Sequence, residues 1–241
     1  MTHKLKTLGL VLGAVFVMNS VAASLASAEE TKAGLFTANI RATETMKFDI
    51  EQIGVGTVTL NGLSITCGSV TGSGKALTKG PSSTEITIEP TLGPNNCHVI
   101  IAGLTKTVTV TMNGCATVYN AKTTVTKTGF DLTATVTFEC PSEKQMEVHI
   151  YKTAASEAET LCTYDIKPQG PLTGISFVNH VNTPGASDDI VSQNSVIVSN
   201  TNTIKSALCG QNSTESSVIE GEGTVRVTDE LGNFVDASIS S

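Results

Sequence analysis

The sequence predicts an all-β antiparallel domain, a disulfide-stapled β-sandwich with Greek-key or meander connections, and three observations predict it. Apolar and polar residues alternate with period two along most of the chain beyond residue 28, the pattern of half-buried strands. Threonine fills much of the polar phase, where its β-branched side chain suits a pleated, solvated face. Six cysteines follow, several in phase with the apolar residues, and no stretch sustains a helical period.

The first residues form an export signal. Lys4 and Lys6 supply a positive start, Leu8 to Val17 is a short apolar run, and Ala26-Ser27-Ala28 offers small residues for cleavage. A bilayer span needs roughly 20 apolar residues, so this run is too short to serve as an anchor. The expected organisation is therefore a signal peptide at residues 1–28 and a single all-β domain at 29–241. No later segment is apolar for long enough to span a membrane, and no cysteine stands at the cleavage point to be lipidated. The expected location is secreted or extracytoplasmic, in the envelope or the medium.

Strands are read in order from their phase. Met46, Phe48 and Ile50 share one face while Lys47, Asp49 and Glu51 share the other. Ile86 and Ile88 oppose Glu85, Thr87 and Glu89. Val108, Val110 and Met112 oppose Thr107, Thr109 and Thr111. Leu132, Ala134, Val136 and Phe138 oppose Thr133, Thr135, Thr137 and Glu139. Met146, Val148 and Ile150 oppose Glu147, His149 and Tyr151. Val225 and Val227, then Val235, Ala237 and Ile239, give the last apolar stripes. Asn61-Gly62 and Asn113-Gly114 read as hairpin turns, because both central residues of such turns need a positive φ. Gly80 to Ser83, Gly93 to Asn96, Ala154 to Thr160, Asn179 to Asp189 and Asn200 to Ser217 read as loops or polar stretches.

Cysteine phase follows from the same strands. Cys67 continues Leu63 and Ile65, Cys97 leads Val99 and Ile101, Cys140 continues Phe138, and Cys162 leads Tyr164 and Ile166. Cys115 and Cys209 stand beside Gly114 and Gly210 at turns. With spacings of 18 to 47 residues and no C-x-x-C pair, the set reads as three structural disulfides of an oxidising compartment rather than as metal ligands. Six cysteines allow fifteen pairings; matched phase and proximity favour Cys67 with Cys97.

Charge narrows the partners. The net charge of −7 becomes −9 once Lys4 and Lys6 leave with the signal, and Arg41 and Arg226 are the chain's arginines. Nucleic acid is excluded as a partner, since phosphate neutralisation needs clustered cations. A protein or a cell-envelope component is the expected partner class. Trp is absent, which weakens a sugar-stacking platform.

No motif supplies chemistry. Gly72-Ser73-Gly74-Lys75 fails as a phosphate loop, having Ser69 where the first Gly belongs and Ala76 after the Lys, so it reads as a flexible turn. His98, His149 and His180 have no ligand spacing, and no serine nucleophile signature occurs. Asp188, Asp189, Glu220, Glu222, Asp229, Glu230 and Asp236 crowd the C-terminal part, where a calcium site is one alternative. Asn212-Ser213-Thr214 fits the glycosylation pattern. No catalytic, cofactor or metal residues are assigned.

Together, Ile65-Thr66-Cys67, the strand from Glu85 before Cys97, Val110 to Cys115, Phe138-Glu139-Cys140-Pro141, the Cys162 strand and Gly223 to Asn233 make the chain resemble a group of uncharacterised exported β-proteins of actinobacteria and their relatives. That resemblance implies a shared disulfide-bearing β-fold and carries no activity. The expected function is a non-catalytic exported domain for interaction or structure, with binding on the loops at Asn179–Asp189 and Asn200–Ser217. The alternatives are a secreted hydrolase assembled from distant residues and a calcium-stabilised module.

Overall fold

The computed structural model of the protein describes residues 31–92, 97–126, 129–153, 159–183, 186–204, 206–209 and 214–240. The signal segment at 1–28, the loop at 93–96, most of the insertion at 154–160 and the start of the glycosylation pattern lie outside them. The strands, in chain order, begin with β1 (Thr31–Ala33), β2 (Leu35–Ala38), β3 (Thr45–Leu60), β4 (Leu63–Cys67), β5 (Val70–Lys79) and β6 (Ser82–Ser83). They continue as β7 (Glu85–Leu92), β8 (Cys97–Ile101), β9 (Leu104–Thr111), β10 (Ala116–Thr126), β11 (Gly129–Glu139) and β12 (Met146–Tyr151). β13 (Thr160–Ile166), β14 (Gln169–His180), β15 (Asp189–Ile204), β16 (Thr214–Thr228), β17 (Phe234–Val235) and β18 (Ala237–Ser240) complete the set. One short 3-10 turn, Ala207–Cys209, interrupts them. The class is all-β, antiparallel and disulfide-stapled, and no helix among the described residues is long and apolar enough to cross a membrane.

Pairing closes the main sheet twice. One ring runs β3, β5, β7, β10, β11, β14, β15, β16 and back to β3, every pair antiparallel. A second runs β3, β4, β8, β9, β12, β13, β15, β16 and back to β3. The rings share three long strands and follow one another along them: residues 45–51 of β3 pair with β5, and residues 56–60 pair with β4. Likewise β15 pairs with β14 over 189–194 and with β13 over 201–204. Closure leaves few ladder groups unpaired, which removes the aggregation-prone edges of an open sheet.

A strand that changes neighbours leaves backbone groups without a ladder partner, and side chains serve them here. Between β14 and β13, Gln169 donates from Nε2 to Ser199 O (2.9 Å) and accepts from Ser199 N at Oε1 (2.8 Å), a side-chain copy of a strand pair. Between β5 and β4, Gln52 Nε2 donates to Gly54 O (3.0 Å), Cys67 O (3.2 Å) and Gly68 O. Gly54 there has φ +68 and sits in a register break between β3 and β16.

The first ring is stoppered at its far end by a three-stranded sheet of β18, β2 and β6, so the first and last parts of the described chain pair with each other. Phe36 of this sheet is 1% exposed and meets Phe48 and Phe177 edge-on at centroid distances of 5.9 and 5.7 Å. Offset and edge contacts of this kind suit the ring quadrupoles. The second ring is filled by Leu60, Ile65, Val99, Ile150, Tyr164 and Ile166, all nearly inaccessible.

Three disulfides account for all six cysteines: Cys67–Cys97, Cys115–Cys140 and Cys162–Cys209. Cys67–Cys97, the pair that phase favoured, joins register partners on β4 and β8. Cys115–Cys140 closes the base of the β10–β11 hairpin, one step beyond the Ala116–Glu139 pair. Cys162–Cys209 ties β13 to the 3-10 turn. Bonded thiols of this kind belong to an oxidising, extracytoplasmic compartment.

Several local expectations are corrected. Gly72 to Lys75 is not a turn but the middle of β5. Its glycines point inward, and a Cβ on Gly74 would lie 1.9 Å from Thr87 O, so glycine is required for β5 to approach β7. Asn200 to Ser217 is not a loop, since β15 runs to Ile204 and β16 starts at Thr214. Asn200 and Asn202, 2% and 4% exposed, take inward strand positions behind Val198, which their polarity concealed. Asn179 and His180 likewise belong to β14, leaving a tighter turn in which Asp188 Oδ1 accepts from Asn182 N (2.9 Å). A third positive-φ pair, Ala102-Gly103 (φ 50 and 78), turns β8 into β9 without the Asn-Gly signal carried at 61–62 and 113–114.

Candidate functional site

Inward positions along the three shared strands change character midway. Met46 and Phe48 at one end of β3, and Leu60 at the other, are large and fully buried. Between the rings the inward positions are Gly56 on β3, Gly72 on β5, Gly221 and Gly223 on β16, and Ser192 and Asn194 on β15. A hollow of ≈ 230 Å³ lies at this level, and of its glycines Gly221 is the one that opens onto free space, since a Cβ on Gly56, Gly72 or Gly223 would stand within 3.3 Å of a neighbouring atom.

Both rings line the cavity. Ile50, Ile86, Ile88, Val136, Ile175, Phe177 and Val225 come from the first, and Val58, Ile65, Val110, Met112, Met146 and Val148 from the second. The surface is overwhelmingly hydrocarbon, and among the described residues no Lys, Arg or His belongs to the lining. Gly221 has an ordinary negative φ or extended backbone, and a Cβ added there would find its nearest neighbour, Gly56 Cα, 3.8 Å away. The space beside it is real and unstrained.

Several of the polar groups have defined partners. Ser192 Oγ donates to Gly223 O (3.2 Å), and Thr117 Oγ1 donates to Ile88 O (3.3 Å). Burial pushes the Tyr119 phenol above its ordinary value, a hydrogen bond with Thr117 offsetting part of the rise. Asn194 stands opposite both Gly221 and Ile175, and its buried Oδ1 has no hydrogen-bond partner among the described residues. Glu220 and Glu222 reach the lining from the outward phase of β16, where Glu220 receives Thr57 Oγ1 (3.4 Å) and Ser195 Oγ (3.5 Å).

Outside the same wall, Asp49, Glu51, Ser73, Thr91, Thr224 and Arg226 border a polar concavity of ≈ 340 Å³. It is the larger space, but its guanidinium is already engaged: Arg226 lies 3.5 Å from Glu51 and 4.0 Å from Asp189, with Phe234 5.7 Å beneath the guanidinium. The cavity between the rings is the better candidate because concave, mostly apolar walls with a few polar groups are what small-ligand sites share.

The residues weighed for chemistry in the sequence do not meet. His98 is exposed on β8. His149, on β12, lies 3.3 Å from Glu147 and stacks on Tyr151, and His180, on β14, lies 3.0 Å from Asp189. The acidic residues hold turns. Asp229 accepts from Asn233 Nδ2 (2.9 Å), Asn233 N (2.8 Å) and Leu231 N (2.9 Å), which holds its carboxyl below the usual range, and Asp236 Oδ1 accepts from Asp188 N (3.1 Å). Among the described residues no group of three or more His, Cys, Asp or Glu is arranged to hold a metal ion. The sequence reading missed the cavity. Its signal was present as inward-phase glycines on strands otherwise rich in Ile and Val.

Comparison with known proteins adds no family: no family model, curated protein or solved structure matches the chain.

Proposed function

We propose that the protein is an exported, non-catalytic domain of the envelope or extracellular space, and that it binds one small apolar molecule between its two rings. The observation that carries this reading is the cavity at the level of Gly56, Gly72, Gly221 and Gly223. An eight-stranded closed sheet is just wide enough either to be filled by side chains or to hold one small ligand, and here filling fails at one level only. An apolar hollow of ≈ 230 Å³ that packing leaves unfilled forgoes side-chain contacts that would stabilise the fold, and a binding site is a physical reason to retain it. A cavity of roughly 150 Å³ already admits benzene.

Calorimetric titration with toluene tests the reading. The wild-type protein takes up one equivalent, while Gly221→Val, whose side chain enters the hollow, binds none and is more stable by about 1 kcal/mol. Unchanged binding in Gly221→Val, or no uptake by the wild type, contradicts it.

A further inference from the structure

From the polar groups of this cavity we infer the chemistry of its ligand: an apolar molecule whose polar end is a neutral hydrogen-bond donor, a hydroxyl, received by Asn194 Oδ1. This rests on the binding role proposed above and narrows it. Asn194 Oδ1 is buried and has no partner among the described residues, whereas buried polar atoms are as a rule paired, and each exception calls for a reason. Its cross-strand partner on β16 is Gly221, which leaves the space beside the amide free for a ligand atom. Gln52 adds a second acceptor: Nε2 is committed to backbone carbonyls, and Oε1 lies 2.9 Å from where a Cβ on Gly56 would stand.

The buried polar atom left for a ligand is thus an acceptor, Asn194 Oδ1, with Gln52 Oε1 beside Gly56 and the neutral amide Nδ2 of Asn194 as the adjoining donor. With no Lys, Arg or His among the described residues of the lining, a carboxylate or phosphate head would be stripped of water without a counter-charge, which is costly. An ammonium head would be drawn to Glu220 and Glu222, which reach the lining from the outward phase of β16, rather than to the neutral Asn194 amide. A hydroxyl needs one acceptor and no charge, and Asn194 supplies it.

The experiment titrates 1-octanol, octanoate, octylamine and toluene into the wild-type protein and Asn194→Leu. The wild type is expected to bind octanol about tenfold more tightly than octanoate. Asn194→Leu is expected to weaken octanol about fivefold, the worth of one net hydrogen bond, and to leave toluene within about twofold. Should Asn194→Leu not fold, the isosteric Asn194→Asp serves, with the preference moving from octanol toward octylamine. The inference is overturned if octanoate or octylamine matches octanol in the wild type, or if Asn194→Leu weakens toluene as much as octanol or weakens neither. Failure of toluene itself to bind overturns the binding role as well, which separates the two claims.

Discussion

The five strands that belong only to the first ring, β5, β7, β10, β11 and β14, are 8 to 12 residues long. The five that belong only to the second, β4, β8, β9, β12 and β13, are 5 to 8. Short strands offer less ladder and less apolar area, and two of the three disulfides, Cys67–Cys97 and Cys162–Cys209, lie in the second ring. The third, Cys115–Cys140, sits where the β9–β12 pair passes into the β10–β11 hairpin of the first ring. The first ring instead holds its open end with noncovalent packing, the Phe36–Phe48–Phe177 cluster under the small sheet. Covalent constraint stands where the noncovalent core is smallest, as it does in small exported domains generally.

The largest effect expected from breaking this contrast is at Phe36. Phe36→Ala should cost about 4 kcal/mol, combining lost transfer energy with a new void. Hydrogen exchange should rise in β2, β14 and the start of β3, with β12 and β13 little changed. Equal loss of protection in both rings would contradict a division of labour between them.

Next comes the staple across the longest loop. Replacing Cys162 and Cys209 by Ala, which opens a 47-residue separation, should lower stability by about 3 kcal/mol in chemical denaturation. Here the exchange should appear in β12 and β13 and spare β14, the mirror image of the Phe36 result.

A smaller difference separates the two glutamines that serve the strand forks. The bonds from Gln52 to Cys67 O and Gly68 O are partly buried, whereas both bonds of Gln169 to Ser199 are exposed. Water replaces the exposed partner far more readily, so Gln52→Ala should cost about 2 kcal/mol and Gln169→Ala under about 1 kcal/mol. The reverse order would show that the second fork, not the first, governs the junction.

The smallest effect is electrostatic. On β13, burial and the facing Glu147 raise the Asp165 carboxyl above its ordinary range, against weaker lowering by Gln145, His149 and Lys167. The native state then holds that proton more tightly than the unfolded chain does. Its contribution favours folding at low pH and is lost as pH rises from about 3.9, the ordinary carboxylate value, through the raised one. Asp229, near the first ring, runs the other way: its lowered value stabilises above the ordinary range and is lost as pH falls through it. Asp165→Asn should therefore remove a decline in denaturant midpoint on the alkaline side of the carboxylate range, and Asp229→Asn should remove one on the acid side. Identical profiles for the two variants would contradict the assignment.

The class of the fold was legible because strand phase is a local property: Met46, Phe48, Val148 and Ile150 alternate with polar residues whatever their partners are, and the structure buries them. Closure was not legible, because it depends on β13 meeting β15 and β3 meeting β16 across long separations. Polar residues misled where they face inward. Asn200 and Asn202 look like loop residues but occupy core positions, and Gly72 and Gly74 look like a turn but allow two strands to approach closely. The cavity was hidden for the same reason: Gly56, Gly72, Gly221 and Gly223 border it, and small residues on separate strands acquire meaning only when the fold brings them to one level.

Nuclear Overhauser contacts between bound toluene and methyl-labelled protein locate a ligand without reference to any variant. The interior reading predicts contacts to methyls of Ile50, Ile88, Val148 and Val225, drawn from both rings, and none to the exposed Val178 or Ile197. Contacts confined to the exposed methyls, or no contacts at saturating toluene, would contradict it.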